Sequence, residues 1–263
     1  YMTHCFSVIF VMIIGTVAAA EDMRLAVTTS FDNSGLADIL IPEIKADTGL
    51  DVQLLVVGTG QALRLGAAGD VDAVLVHSRS AEDAFLAKGH GTHRREIMYN
   101  DFVLVGPSGL GVVATITDAM SALAMIKAPF ISRGDDSGTH KAELRLWKAA
   151  NLDTDEFGNW YRSVGAGMGA ALNTASAMDA YVISDRASWL NFGNKGNLGI
   201  VFSGDPALFN QYAYLPVNPE KGENILHSSA LQLEVWLTSD RAKALINGYQ
   251  IDGQPLFVFN ATP

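Results

Sequence analysis

The sequence predicts an α/β protein of two lobes, each with a mainly parallel sheet covered by helices on both faces. Three observations support this. From Met23 onward, short apolar runs alternate with amphipathic stretches, and strands joined through helices lie parallel. The second half of the chain repeats the habit of the first. No long Pro/Gly/Ser linker, charge block or low-complexity stretch separates the halves. The chain is therefore expected to cross between lobes within strands, at 99–105 and again at 212–217.

The elements follow in order. Residues 25–28 have strand composition, and the hydroxyls and amides of 30–34 offer N-caps for a helix over 36–48 that Gly49 stops. A strand over 51–57, a helix over 60–68 and a strand over 72–76 come next. A helix is expected over 80–88 and a strand over 102–105, which Gly106-Pro107 ends. In the second half the pattern predicts helix 117–127, strand 129–131, helix 138–150, helix 168–177 and strand 180–183. Strands over 199–202 and 212–217 precede helices within 230–248.

Residues 6–20 form an uncharged apolar run ending Ala18-Ala19-Ala20 before Glu21. Small residues at those positions suit a signal peptide over 1–20, cleaved after Ala20, and the run is short for a membrane span. Export to the periplasm is the expectation. Cys5 is the single cysteine and falls in that leader, so the mature chain would have no thiol, disulfide or cysteine metal ligand. About 240 residues remain, enough for one large domain or two lobes with cores. The formal charge is −10, which argues against nucleic acid and anionic membranes but leaves room for a small anion at one locally positive site.

Residues 131–140 read Ile-Ser-Arg-Gly-Asp-Asp-Ser-Gly-Thr-His between a strand and a helix. One guanidinium (Arg133), two hydroxyls (Ser137, Thr139) and the free amides of a helix start meet there. This is the chemistry of an oxyanion seat, and equally that of a capped strand-to-helix turn. Two more loops follow strands with similar composition: Thr28-Thr29-Ser30, and Gly58-Thr59-Gly60-Gln61. Loops at the carboxyl ends of strands gather at the ligand crevice of an open α/β sheet, and together with one Arg these suit an anion. Gly165-Ala166-Gly167-Met168-Gly169 is a fourth candidate, in a supporting role.

Several chemistries lack their signatures. His77, His90, His93 and His140 have no zinc-helix spacing and no Cys partners, so no metal site is expected. No Gly-x-Ser-x-Gly elbow and no P-loop are present.

The ordered motifs resemble the TupA family, the tungstate-binding components of ABC importers, over nearly all of the mature length. The resemblance rests on Thr28-Thr29-Ser30 with Asn33-Ser34-Gly35-Leu36, on Gly58-Thr59-Gly60-Gln61-Ala62-Leu63, and on Gly69-Asp70-Val71-Asp72 with Val76-His77. Met98-Tyr99-Asn100-Asp101-Phe102, the Ser132–His140 loop, Gly167-Met168-Gly169 and Ser184-Asp185-Arg186 continue it. It implies a type II periplasmic-binding-protein fold with a ligand cleft between two α/β lobes: lobe I over 21–102 and 214–263, and lobe II over 103–213. Family binding residues would map onto Thr29, Ser30, Thr59, Gly60, Arg133 and Thr139, and Ser137 joins them as a hydroxyl of the same loop. The implied ligand is tungstate, or molybdate, held through its oxygens with no cofactor and no catalysis. The implied partner is an ABC permease, and a monomer is expected. A phosphate-binding protein of the same fold is the nearest rival, since Asp135 or Asp136 could accept a phosphate proton that tungstate lacks. A secreted hydrolase using Asp101, Asp135 or His140 stands further off, as does a sensor that passes ligand state to a receptor.

Overall fold

The computed structural model describes residues 22–262; the leader, its cleavage point and Cys5 lie outside the described residues. The first half contains β1 (Asp22–Thr28), α1 (Thr29–Asn33), α2 (Leu36–Thr48), β2 (Asp51–Val57), α3 (Thr59–Ala68), β3 (Ala73–Val76) and α4 (Arg79–Ala87). The long strand β4 (Arg95–Pro107) leads into α5 (Ile116–Met125), β5 (Phe130–Ser132), α6 (Gly138–Ala149), β6 (Tyr161–Ser163) and α7 (Met168–Met178). Then come β7 (Tyr181–Asp185), α8 (Arg186–Asn191), β8 (Leu198–Phe202) and β9 (Phe209–Pro216). Two helices, α9 (His227–Leu237) and α10 (Asp240–Gly248), and three two-residue strands, β10 (Gln250–Ile251), β11 (Gln254–Pro255) and β12 (Val258–Phe259), finish the chain.

The main path of the sheet runs β2-β1-β3-β9-β4-β7-β5-β6. A parallel trio lies at each end, β2-β1-β3 and β7-β5-β6. Between them β9 and β4 run antiparallel to each other and to their outer neighbours. Strand β4 pairs with β9 from Arg95 to Asp101 and with β7 from Phe102 to Val105. The chain therefore passes between the halves of the sheet at Asp101 and Phe102. Arg186 Nε donates to Asp101 Oδ1 at 2.7 Å at that crossing.

Strand alternation gives each half two cores. In the first half, Leu25, Val27 and Leu75 face α2, α9 and α10, burying Leu36, Leu40, Ile44, Leu233 and Ile246. Their neighbours Ala26, Val74 and Val76 face the other way, against Ala62, Leu63 and Phe85 of α3 and α4. The second half repeats the plan. Phe102, Leu104 and Phe130 pack on α5 and α6, while Val103, Val105 and Ile131 pack on α7 and Trp189. Helix α2 shows how local sequence sets an element: Leu36, Leu40 and Ile44 repeat every four residues on the buried face, and Gly49 closes it at φ +77°.

Strand β4 starts at Arg95, well before the expected 102, because its first half carries charge and an irregular register against β9 that breaks the alternation a strand would show. Strand β9 likewise begins at Phe209 rather than 212. The short elements α1, β6 and α8 have no counterpart in the sequence pattern; five, three and six residues carry too little periodicity. Among the described residues, no helix is long and apolar enough to cross a membrane.

Candidate ligand-binding cleft

The first wall of the site is built from the carboxyl ends of β1 and β3 and from β9. Thr28 ends β1 and caps α1, its Oγ1 accepting from Phe31 N at 3.3 Å, while the buried Phe31 ring anchors that short helix. The turn brings Ser30 Oγ within hydrogen-bond distance of three groups: Thr28 Oγ1 at 3.0 Å, His77 Nε2 at 3.0 Å and Tyr212 OH at 3.1 Å. The His77 and Tyr212 rings lie 4.8 Å apart. Burial pulls the His77 imidazole down to about 4, with the nearby Arg133 charge acting in the same direction, so the ring is neutral at neutral pH. A neutral imidazole offers one donor and one acceptor, which lets Ser30 act as the hub of an uncharged network.

Thr59 opens α3 after β2 and is buried, and its Oγ1 has no hydrogen-bond partner among the described residues. A buried hydroxyl in that condition costs about 1–3 kcal/mol. Gly60 follows it, with Arg64 of the same helix as the nearest group to its side-chain position.

The second wall starts where β5 ends. Gly134 is in the left-handed region at φ +61°, and a Cβ there would lie 1.6 Å from Ser163 Oγ, so only glycine lets the loop run this close to β6. The loop turns Arg133 and Asp135 onto each other: Arg133 Nε donates to Asp135 Oδ2 at 3.1 Å, and Nη2 donates to the same oxygen. Asp135 Oδ1 accepts from Ser137 N at 3.2 Å. Burial raises the Asp135 carboxyl, but the Ser137 and Arg133 hydrogen bonds outweigh it and hold the group below the usual carboxylate range. Ser137 caps α6, its Oγ accepting from His140 N at 3.2 Å, and Thr139 is buried in the first turn. Asp136 turns outward to Lys141.

Behind this wall, on α6, sits Glu143, which is 2% exposed. Its Oε1 accepts from Tyr161 OH at 2.6 Å and Trp147 Nε1 at 3.2 Å. Burial pushes the carboxyl up to about 7, against the pull of those donors and of the Arg133 backbone.

The walls meet around a cleft of about 540 Å³. Thr29, Ser30 and Asn33 line it from the first half; Arg133, Gly167, Met168, Gly169, Asp185 and Ser188 line it from the second. Of the sequence candidates, the cleft thus brings together Thr29, Ser30 and Arg133, with the glycine loop in support. Thr59, Gly60, Ser137 and Thr139 stand at the starts of α3 and α6 and are not among its lining residues. Beside the cleft the halves touch, since a Cβ on Gly138 would lie 2.3 Å from His77 Cε1.

Sequence reasoning does not single out His77, Tyr212 or Asp185 as parts of this site. Ser30 and Tyr212 are 182 positions apart, and nothing local in a strand tyrosine signals such a pairing. Asp185 carries a weak signal as a carboxylate at a strand end.

Residues 16–241 match the family model of the PBP superfamily domain. The tungstate-binding protein TupA of Peptoclostridium acidaminophilum is 45% identical over 251 residues, covering 92% of this chain and 87% of that one. The chain belongs to the TupA family. The tungstate-binding protein TupA of Campylobacter jejuni is 35% identical over 88% of both chains. Among solved structures, the tungstate-binding TupA of Desulfovibrio alaskensis superposes with a TM-score of 0.85 at 39% identity, over 92% of this chain and all of that one. The tungstate ABC transporter protein of Geobacter sulfurreducens gives 0.79 at 42% identity, over 87% of this chain and 99% of that one. The α/β fold expected from the sequence is thus the fold observed, and it is shared with the solved TupA structures.

Proposed function

We propose that this chain captures tungstate, with molybdate as the close competitor, and presents it outside the cytoplasm to the permease of an ABC importer. The observation that carries this reading is that the Ser30 hydroxyl and the Arg133 guanidinium, from opposite halves of the sheet, line one cleft. Thr29, Ser30 and Arg133 supply direct donors. Thr59 and Gly60 at the start of α3, and Ser137 and Thr139 at the start of α6, complete the seat with hydroxyls and helix-start amides as the halves close. The partnerless Thr59 hydroxyl supports this, because a ligand oxygen would satisfy it.

Taking a dianion out of water is costly unless each oxygen finds a donor. Hydroxyls, amides and one fork-shaped cation replace the hydration shell with dipoles already held in place. The halves are joined through β4 and β9, so bending at Asp101–Phe102 would open and close the cleft, and the closed form would be read by the permease. Nothing in the cycle requires chemical conversion of the ligand, and the protein acts as a monomer that binds, closes and releases.

A thermal-shift screen against tungstate, molybdate, sulfate and phosphate tests the reading. A ligand at a thousand times its Kd stabilises by about 4 kcal/mol, roughly 8–16 °C for a protein of this size. Tungstate and molybdate should give shifts of that order, and sulfate and phosphate little. A larger shift with phosphate would replace this reading by a phosphate-binding one.

A further inference from the structure

Asp185 is an unexpected neighbour for an anion. It ends β7, is 1% exposed and lines the same cleft as Arg133 and Ser30. Its Oδ1 is used: it accepts from Ser188 N at 2.8 Å and caps α8. Its Oδ2 is buried and has no partner among the described residues. A buried carboxylate oxygen left without a donor is rare, because it forfeits its solvation with nothing in return.

The charges around it are few. Arg133 is the cation that faces Asp185, and it is already engaged by Asp135. Tyr212, from β9, feels the Asp185 charge, and burial raises its phenol far above neutral pH, so it remains uncharged. Arg186, the next residue, is committed to Asp101 on β4. His77 lies beyond Ser30 and is neutral, and α7 carries no ionisable side chain. With both carboxylates ionised, one guanidinium faces two negative charges before any ligand arrives. A bare dianion would then enter a cleft that is already net negative. In a desolvated site such a group takes up a proton rather than remain charged.

We propose that Asp185 is a specificity-determining residue that takes a proton from solvent when the anion enters and donates it, through Oδ2, to one ligand oxygen. The proton returns to solvent when the anion leaves. This deepens the tungstate reading and rests on it: a fully deprotonated metallate has only acceptors and matches a protonated carboxyl, whereas hydrogen phosphate brings its own proton and matches an ionised one. Burial already raises the Asp185 carboxyl, against the pull of Ser188 and Arg133, so the added cost of protonation is reduced.

The test is calorimetric titration of the purified protein with sodium tungstate between pH 7 and 8, in Tris and in HEPES, whose ionisation enthalpies differ. The difference between buffers counts protons. About one proton should be taken up per tungstate, and affinity should weaken about tenfold over that pH unit. Asp185→Asn keeps the helix cap, since Asn caps as well as Asp, and places a permanent amide donor where the proton would sit. That variant should bind tungstate with no proton uptake and no pH dependence. Tungstate binding by the wild type with no proton uptake would overturn the role of Asp185 and leave the tungstate reading standing. No tungstate heat at all from the wild type would overturn the tungstate reading, and this inference with it.

Discussion

The two walls of the cleft solve different problems. The first-half wall is neutral: Thr28, Ser30, His77 and Tyr212 form a network of hydroxyls and one uncharged imidazole. The second-half wall is charged: Arg133, Asp135 and Asp185 gather there, with Glu143 buried behind. Both stand at the end of a parallel trio of the same sheet, so the difference comes from the side chains placed there, in the loops and at the strand ends, with Tyr212 added from β9. On the proposed reading, a strongly acidic chain would hold an anion by confining its charge chemistry to one wall and meeting it with neutral donors from the other.

Substitution at Arg133 should have the greatest consequence. Arg133→Ala should weaken tungstate binding about a thousandfold, roughly 4 kcal/mol, because the ligand charge would be buried without its counter-ion. Arg133→Lys should fall between, having lost the fork. Calorimetry showing unchanged affinity in the alanine variant would mean that the charged wall does not hold the ligand.

The next effect is on stability against pH, where the walls should oppose each other. The His77 pKa is depressed, so between pH 6.5 and about 4 the unfolded chain binds a proton that the folded one does not. Stability contributed there falls as pH falls, by about 3 kcal/mol over the window. The Glu143 pKa is raised to about 7, so between pH 4.5 and 7 the folded chain holds the extra proton. That contribution is present at low pH and is lost as pH rises, again by about 3 kcal/mol. The two slopes nearly cancel from 4.5 to 6.5. Urea melts of His77→Gln should show stability falling with rising pH, and those of Glu143→Gln stability falling with falling pH. Parallel profiles in both variants and wild type would show that neither group titrates as described.

A smaller effect is expected at the hub. Ser30→Ala strips one partner each from His77 and Tyr212, and should reduce stability by about 1–3 kcal/mol and tungstate affinity about tenfold. Ser137→Ala should be the mildest. It removes the α6 cap, costing about 1 kcal/mol by thermal melt, and it removes one O–H that stays free to donate while the Oγ accepts from His140 N, so affinity should fall about threefold.

These contrasts also mark how far sequence reaches. Helix α2 is readable because its apolar spacing and closing glycine are local, and β2 because it ends in an unbroken apolar run from Leu54 to Val57. The same local reading finds Arg133, Ser30 and Thr59, each a distinctive residue in a loop after a strand. It cannot find that Ser30 meets Tyr212, nor that Asp185 faces the cleft, because those contacts are set by the order of strands in the sheet. Glu143 is hidden for the opposite reason: a glutamate inside a helix reads as a solvent-facing helix former, and only the Tyr161 and Trp147 donors around it explain its burial.

Whether one oxyanion sits between a neutral wall and a charged one can be seen directly. Crystals grown with tungstate and measured at a tungsten absorption edge would locate it by its anomalous signal. One peak is expected, in the cleft, within hydrogen-bond reach of Ser30 on one side and Arg133 on the other. A peak instead in the neighbouring cavity of about 560 Å³ lined by Arg79, Lys141 and Arg145 would contradict the two-walled seat, as would a fully occupied site touching only one wall.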